Sequence, residues 1–166
     1  MPAIQKITPC LWFDNQAEEA VAFYTAMFKN SKVVTVSRYG EAGKEIHGRP
    51  AGSVMTVAFE LDGQTFTALN GGPIFKFNEA ISLQVNCETQ AEVDHFWTNL
   101  AEGGDPNAQQ CGWLKDRYGV SWQIVPTVVV ELLGGHDTDR ARRVMEAIFG
   151  MKKIDIAEVE RAAAQA

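Results

Sequence analysis

The sequence has no apolar run near the roughly 20 residues that a membrane-crossing helix requires. Positive charge is not in surplus either, since 15 Lys and Arg stand against 21 Asp and Glu, a formal net charge of −6. A dedicated nucleic-acid binder needs the opposite balance, because Lys and Arg make the phosphate contacts. The local group Arg140, Arg142 and Arg143 falls in a helical context and reads as a solvated face. Cysteine is scarce: Cys10, Cys87 and Cys111 are widely spaced, with no C-x-x-C. That excludes a dense disulfide framework and points to reduced thiols in a cytoplasmic protein. No two glycines stand two apart, so the G-x-G turn that cradles a nucleotide is missing. The three histidines, His47, His95 and His136, fall in separate segments with no ligand spacing. The opening Met1-Pro2-Ala3-Ile4-Gln5-Lys6 lacks the basic-then-apolar layout of a signal peptide.

What is present is an ordinary globular composition, 46% hydrophobic and 22% charged, which rules out whole-chain disorder. Ile4 to Phe13 is rich in β-formers and ends in the turn signal Asp14-Asn15. Gln16 to Phe28 then takes helical spacing through Ala17, Ala20, Val21, Tyr24 and Phe28, with Glu18 and Glu19 at the positive end of the helix dipole. Strands follow at Val33 to Tyr39, Ser53 to Leu61 and Gln64 to Leu69, the last two joined by Asp62-Gly63, the strongest hairpin signal in the chain. After Asn70-Gly71-Gly72-Pro73 the order begins again. Glu79 to Asn86 alternates as a strand, Thr89 to Leu100 carries an apolar helical stripe ending at Gly103-Gly104, and short strands lie around Cys111 to Leu114 and Val120 to Val125. Gln16-Ala17-Glu18-Glu19-Ala20-Val21-Ala22-Phe23-Tyr24 also lines up with Thr89-Gln90-Ala91-Glu92-Val93-Asp94-His95-Phe96-Trp97, the mark of an internal repeat. Beyond Pro126 come an apolar run, Thr127 to Leu133, and two helices, Arg140 to Phe149 and Asp155 to Ala164.

Three segments carry a family resemblance: Ile7 to Asp14, Leu69 to Ser82 and, longest and most specific, Cys111 to Pro126. With the tail segment Lys152 to Ile156, the chain resembles the vicinal oxygen chelate superfamily of glyoxalase, bleomycin-resistance and dioxygenase proteins. Within it, the chain is similar to the 3-demethylubiquinone-9 3-methyltransferase-like, or PhnB-like, branch. The resemblance implies an α+β fold of two tandem βαβββ modules forming a cupped mixed sheet, plus C-terminal helices. The modules would span about 4–70 and 79–126 as one domain over 1–126, with 127–166 a helical tail. A homodimer is implied by the same analogy.

In metal-using relatives, the first and last strand of each module supply His, Glu or Gln to a metal in the cup. Carried over, those positions fall at Pro9 or Thr8, at Phe66 or Ala68, at Ala80 or Ser82, and at Gln123. Gln123 is the only customary ligand type among them, so no metal site and no cofactor are expected. The alternation of the second half puts Ser82, Gln84, Ser121 and Gln123 on one side, toward the cup. Uncharged hydrogen-bonding groups in an apolar recess suit an unidentified neutral or aromatic small molecule. Trp12, Trp113 or Tyr39 would add stacking surface, and Arg38 and His47 would bring charge to the rim. Asp116 and Arg117 sit in a hairpin turn and read as structural. The expectation is a small-molecule-binding protein without a metal, or an enzyme of unassigned reaction; its rivals are a metal-dependent lyase or dioxygenase, a methyltransferase, and a structural or interaction protein with a filled cup.

Overall fold

The computed structural model describes residues 4–165 and divides into two compact units, Met1–Lys76 and Phe77–Ala166. The architecture is α+β: one mixed sheet of four strands, one of three, and helices at the C-terminal end.

In the first unit, β1 (Cys10–Phe13) leads into α1 (Ala17–Met27), followed by β2 (Lys32–Arg38), a one-turn helix α2 (Lys44–His47), β3 (Val54–Leu61) and β4 (Gln64–Asn70). The sheet order is β1-β4-β3-β2, with β1 parallel to β4 and the other pairs antiparallel. The first strand is shorter than Ile4 to Phe13 suggests. Ile4 and Ile7 are exposed, and Pro9 has no N–H to give the ladder, although its carbonyl accepts from Thr67 N at 2.9 Å. Asp62 and Gly63 both take positive φ, +48° and +77°, as a two-residue hairpin matched to strand twist requires. Leu11, Phe13, Val57, Phe59, Phe66 and Ala68 alternate onto the buried side, where α1 sets Ala17, Ala20, Val21 and Tyr24.

A deeply buried side-chain amide joins that helix to the sheet. Asn70, 4% exposed, accepts from Ala17 N at 2.8 Å and so satisfies a first-turn N–H of α1. Its Nδ2 donates to Glu18 Oε2 at 2.9 Å and to the Val54 carbonyl at 3.1 Å. Its own carbonyl accepts from the Tyr39 hydroxyl at 2.6 Å.

The second unit repeats the plan with one strand fewer: β5 (Ser82–Cys87), α3 (Gln90–Ala101), a 3-10 turn at Pro106–Ala108, β6 (Trp113–Lys115) and β7 (Ser121–Pro126). The order is β5-β7-β6; first and last strands are again parallel, and the last two again form an antiparallel hairpin. That shared topology supports the internal repeat read from the helices. Where the first unit has a fourth strand, the second has a single bridge between Gln110 and Trp113. The two residues between them, Cys111 and Gly112, take φ of +52° and +82° and close a tight turn. Val85, Cys87, Leu114, Trp122 and Ile124 face α3, whose Val93 and Leu100 are fully buried. Thr89 caps that helix by accepting from Glu92 N at 3.2 Å.

The tail forms α4 (Thr127–Leu133), α5 (Thr138–Phe149) and α6 (Ile156–Ala164). Asp137 and Asp155 cap the last two by accepting from Arg140 N and Glu158 N, each at 2.9 Å. Val129, Val144, Ile148, Met151, Ile154 and Val159 form their shared core, with Cys111 packed against it. The connection between α5 and α6 is tied to the Cys111 turn, for Cys111 N and Gly112 N donate to the Met151 and Lys152 carbonyls at 2.9 and 2.7 Å. Gln90, at the start of α3, donates to the Ile154 carbonyl at 3.1 Å and accepts from Ile156 N at 2.8 Å. The apolar faces of the tail helices thus cover one another and close the end of the second unit. Among the described residues, no helix is long and apolar enough to cross a membrane.

Candidate ligand-binding face

The face of the second sheet turned away from α3 is built from three short strands in register. Ser82 of β5 lies opposite Ser121 of β7, and Ser121 lies opposite Lys115 of β6. Two residues along, Gln84, Gln123 and Trp113 form a second row. Directly paired residues share a face, so the two rows put six side chains on one surface. Five of them are sequence candidates: Ser82, Gln84, Ser121 and Gln123 by strand alternation, and Trp113 as stacking surface. Lys115 is not among those five. The signal for it was present, because it stands two residues beyond Trp113 on the same strand.

The two rows are linked by a 2.8 Å hydrogen bond from Gln123 Nε2 to Ser82 Oγ. Gln84 donates along its own strand to Asn86 Oδ1 at 2.9 Å. The Ser121 hydroxyl differs from its neighbours. The residue is 2% exposed, and its oxygen is buried with no hydrogen-bond partner. An unpaired buried hydroxyl costs about 1–3 kcal/mol, so this group is an unspent donor and acceptor. Lys115 Nζ pairs with Glu79 Oε1, and that hydrogen bond, more than the charge alone, holds the Glu79 carboxyl below its ordinary value.

The hairpin between β6 and β7 joins Lys115 to Ser121 of the first row. Asp116, 2% exposed, accepts from Tyr118 N at 2.8 Å, Val120 N at 3.0 Å and Trp122 Nε1 at 2.9 Å. Its carboxylate therefore stands on the helix side of the sheet as a turn anchor. Arg117 donates from Nε to the Glu102 carbonyl at 3.1 Å. Both roles are structural, as their place in a turn suggests.

Trp12, Arg38 and His47 fall in the first unit, and each has a local task there. Trp12 Nε1 donates to the Gly72 carbonyl at 2.9 Å, its ring meets Phe75 edge-on at 4.9 Å, and a Cβ at Gly71 would lie 2.3 Å from that ring. Arg38 Nη1 donates to the Gly52 carbonyl at 3.0 Å. His47 stacks on Tyr39 with ring centres 4.5 Å apart. Its Nδ1 accepts from Arg49 N at 3.0 Å and its Nε2 lies 3.2 Å from the Ala42 carbonyl, the pattern of an imidazole carrying its proton on Nε2. Both ring nitrogens are engaged.

Neither sheet presents a donor set suited to a divalent metal. Phe66 and Ala68 lie on the α1 side, so the cup-side residues of β1 and β4 are Cys10, Trp12, Thr65, Thr67 and Leu69. Those of β5 and β7 are Ser82, Gln84, Asn86, Ser121, Gln123 and Val125. Hydroxyls, amides and one thiol do not replace imidazole and carboxylate. Among the described residues, no group of three or more His, Cys, Asp or Glu comes together to hold an ion. Two thiols are poor nucleophiles: burial pushes Cys87 up to about 11, helped by the Glu92 charge, and desolvation raises Cys10 as well.

No curated protein matches the chain. Among solved structures, a PhnB protein from Bacillus cereus is 40% identical over 74% of this chain and 99% of its own, with a TM-score of 0.62. A protein from Staphylococcus aureus is 32% identical over 74% of this chain and 96% of its own, with a TM-score of 0.33. One from Pseudomonas aeruginosa, 22% identical over 75% of this chain and 98% of its own at a TM-score of 0.57, shares the fold. The family described as 3-demethylubiquinone-9 3-methyltransferase matches residues 5–125, ending just before the helical tail. The family match and the Bacillus cereus relative agree with the narrower branch of the sequence resemblance, and the chain belongs to this 3-demethylubiquinone-9 3-methyltransferase (PhnB-like) family.

Proposed function

We infer that the chain is a small-molecule-binding protein that works without a metal, through the polar face of its second sheet. The observation that carries this reading is the buried, unpartnered Ser121 hydroxyl beside the Gln123–Ser82 bond, with the Trp113 indole in the next row. A hydrogen-bonding group left unspent in a sheltered place, next to an aromatic surface, is what a specific pocket offers a ligand. A cytoplasmic place and a homodimer complete the reading. The exposed Val33, Val34 and Val36 of edge strand β2 support the dimer, and a monomer by light scattering at micromolar concentration would overturn it.

Two rivals remain chemically distinct. A methyltransferase, as the family is described, needs a donor-nucleotide cradle. Here no G-x-G turn exists, and each sheet combines antiparallel pairing with one parallel pair. Calorimetry with S-adenosylmethionine decides that point, since saturable binding would restore it. A metal-dependent lyase or dioxygenase would show stoichiometric zinc, iron or manganese bound through the sheet faces.

The direct test is a fragment screen by ligand-observed NMR, followed by chemical-shift mapping on the labelled protein. Hits are expected to shift the Gln123 side-chain amide and the Trp113 indole N–H, and to bind at least tenfold more weakly to Ser82→Ala/Gln123→Leu. A folded protein that binds no fragment at that face would instead favour a structural or interaction role.

A further inference from the structure

The first row of the face, Lys115, Ser121 and Ser82, has a composition the second lacks: one cation followed by two hydroxyls across adjacent strands. Lys115 is well sheltered for a lysine, its side chain 26% exposed, and its ion-pair partner Glu79 is 65% exposed. Central strand β7 separates β6, which carries Lys115, from β5, into which Glu79 leads. Glu79 thus reaches Lys115 from the segment that leads into β5, and Lys115 lies opposite Ser121 in the register of β6 and β7. The Ser121 hydroxyl is buried and has no partner. A carboxylate from the protein itself thus already sits against the lysine, next to a donor that Glu79 leaves unused.

We propose that the ligand of this face is a planar, aromatic monocarboxylate whose carboxylate displaces Glu79 from Lys115 and takes the Ser121 hydroxyl as a second donor. This deepens the small-molecule reading above and rests on it. The ring of such a molecule extends along the strands toward the second row, about 7 Å away, where the Trp113 indole offers a stacking surface beside Gln123. The charged hydrogen bond from Lys115 and the neutral one from Ser121 give a carboxylate an advantage that an uncharged amide of the same shape lacks. Glu79 keeps the lysine neutralised while the site is empty and sets a threshold that only another carboxylate passes.

Benzoate and benzamide are the probes, titrated into the full chain by calorimetry and by chemical-shift mapping of the Trp113 indole N–H. Benzoate is expected to bind saturably and benzamide at least tenfold more weakly. Glu79→Gln, which removes the internal competitor, is expected to tighten benzoate severalfold. Lys115→Met is expected to weaken it at least tenfold, and Ser121→Ala severalfold, with thermal melts confirming that each variant is folded. Equal binding of benzoate and benzamide, still dependent on Ser82 and Gln123, overturns the carboxylate assignment and leaves the small-molecule reading standing. The assignment also falls if benzoate fails to saturate the folded protein, or if Glu79→Gln binds it more weakly.

Discussion

Replacing Asp116 tests whether the turn between β6 and β7 is held by one carboxylate. The wild-type group is 2% exposed and accepts from Tyr118 N and Val120 N on Oδ1 and from Trp122 Nε1 on Oδ2. Asp116→Ala strands three donors; at about 1–1.5 kcal/mol each, allowing some access of water to the backbone pair, the loss is about 4 kcal/mol. Asp116→Asn is the sharper probe. With its oxygen toward the two backbone N–H groups, its NH2 faces the indole N–H, donor against donor. Flipping the amide saves that contact and spoils the other two. A loss of about 2 kcal/mol follows, between wild type and Ala. Urea unfolding followed by tryptophan fluorescence reads both. With a slope of about 2 kcal/mol/M, Asp116→Ala moves the midpoint by about 2 M and Asp116→Asn by about 1 M. An Ala variant within 0.5 M of wild type would refute the anchor, and an Asn variant as damaged as Ala would place the weight on charge instead of on donor matching. Because the turn joins Lys115 to Ser121, both variants should also weaken any ligand of that row.

Gly104→Ala should cost about 3 kcal/mol, because its Cβ would stand 2.1 Å from the Lys115 carbonyl, a backbone atom that moves only with the strand. Gly40→Ala, with nothing within 4 Å, is the matched control and should stay within about 0.5 kcal/mol in the same urea assay. Equal damage in the two would mean that the close approach is not what matters. Asp94 gives a pH test: the Lys153 hydrogen bond, then that from Gln90, lowers its carboxyl in the folded state. A lowered folded pKa means stability that is present above the unfolded value, near 3.9, and lost as pH falls through the folded value. Asp94→Asn should therefore lose a few tenths of a kcal/mol at pH 7, the scale of an exposed pair, and show a smaller further loss than wild type between pH 5 and 3. Identical acid sensitivity of the two proteins would remove the pair from the account.

Much of this structure was legible because it depends on short-range rules. The Asp62-Gly63 hairpin and the strict alternation of Ile81 to Asn86 are properties of a few consecutive residues. The polar face was legible for the same reason: once Ser82 and Gln123 are assigned to strands, alternation alone decides their side. Asn70 was not, and reads in the sequence only as the first residue of a turn. Its work depends on Ala17, Glu18 and Val54 arriving from three other segments, which no local pattern encodes. Lys115 was missed differently, since a charged residue near a turn reads as solvated surface until its row across β7 is known. Phe66 and Ala68, carried over by resemblance as cup-facing ligand positions, instead lie on the helix side, a face that only the β3–β4 register and their burial fix.

The two units share a topology but use their polar groups differently, which is why the candidate site belongs to the second. In the first, Ser37 Oγ and Thr56 Oγ1 bond each other at 2.5 Å, the Tyr39 hydroxyl and the Trp12 indole are bonded to backbone carbonyls, and His47 has both ring nitrogens engaged. These groups hold loops and strands together, and a ligand could recruit them only by breaking bonds already made. In the second unit, the equivalent face keeps Ser121 unpaired and Lys115 neutralised by a mostly exposed carboxylate that can swing away. Binding free energy comes from the difference between bonds made to the ligand and bonds surrendered for it. The smaller sheet surrenders less. A repeat that loses a strand and gains a tail of helices tied to the Cys111 turn gives up regularity at one edge, while the row of Lys115, Ser121 and Ser82 stays in register across its three remaining strands.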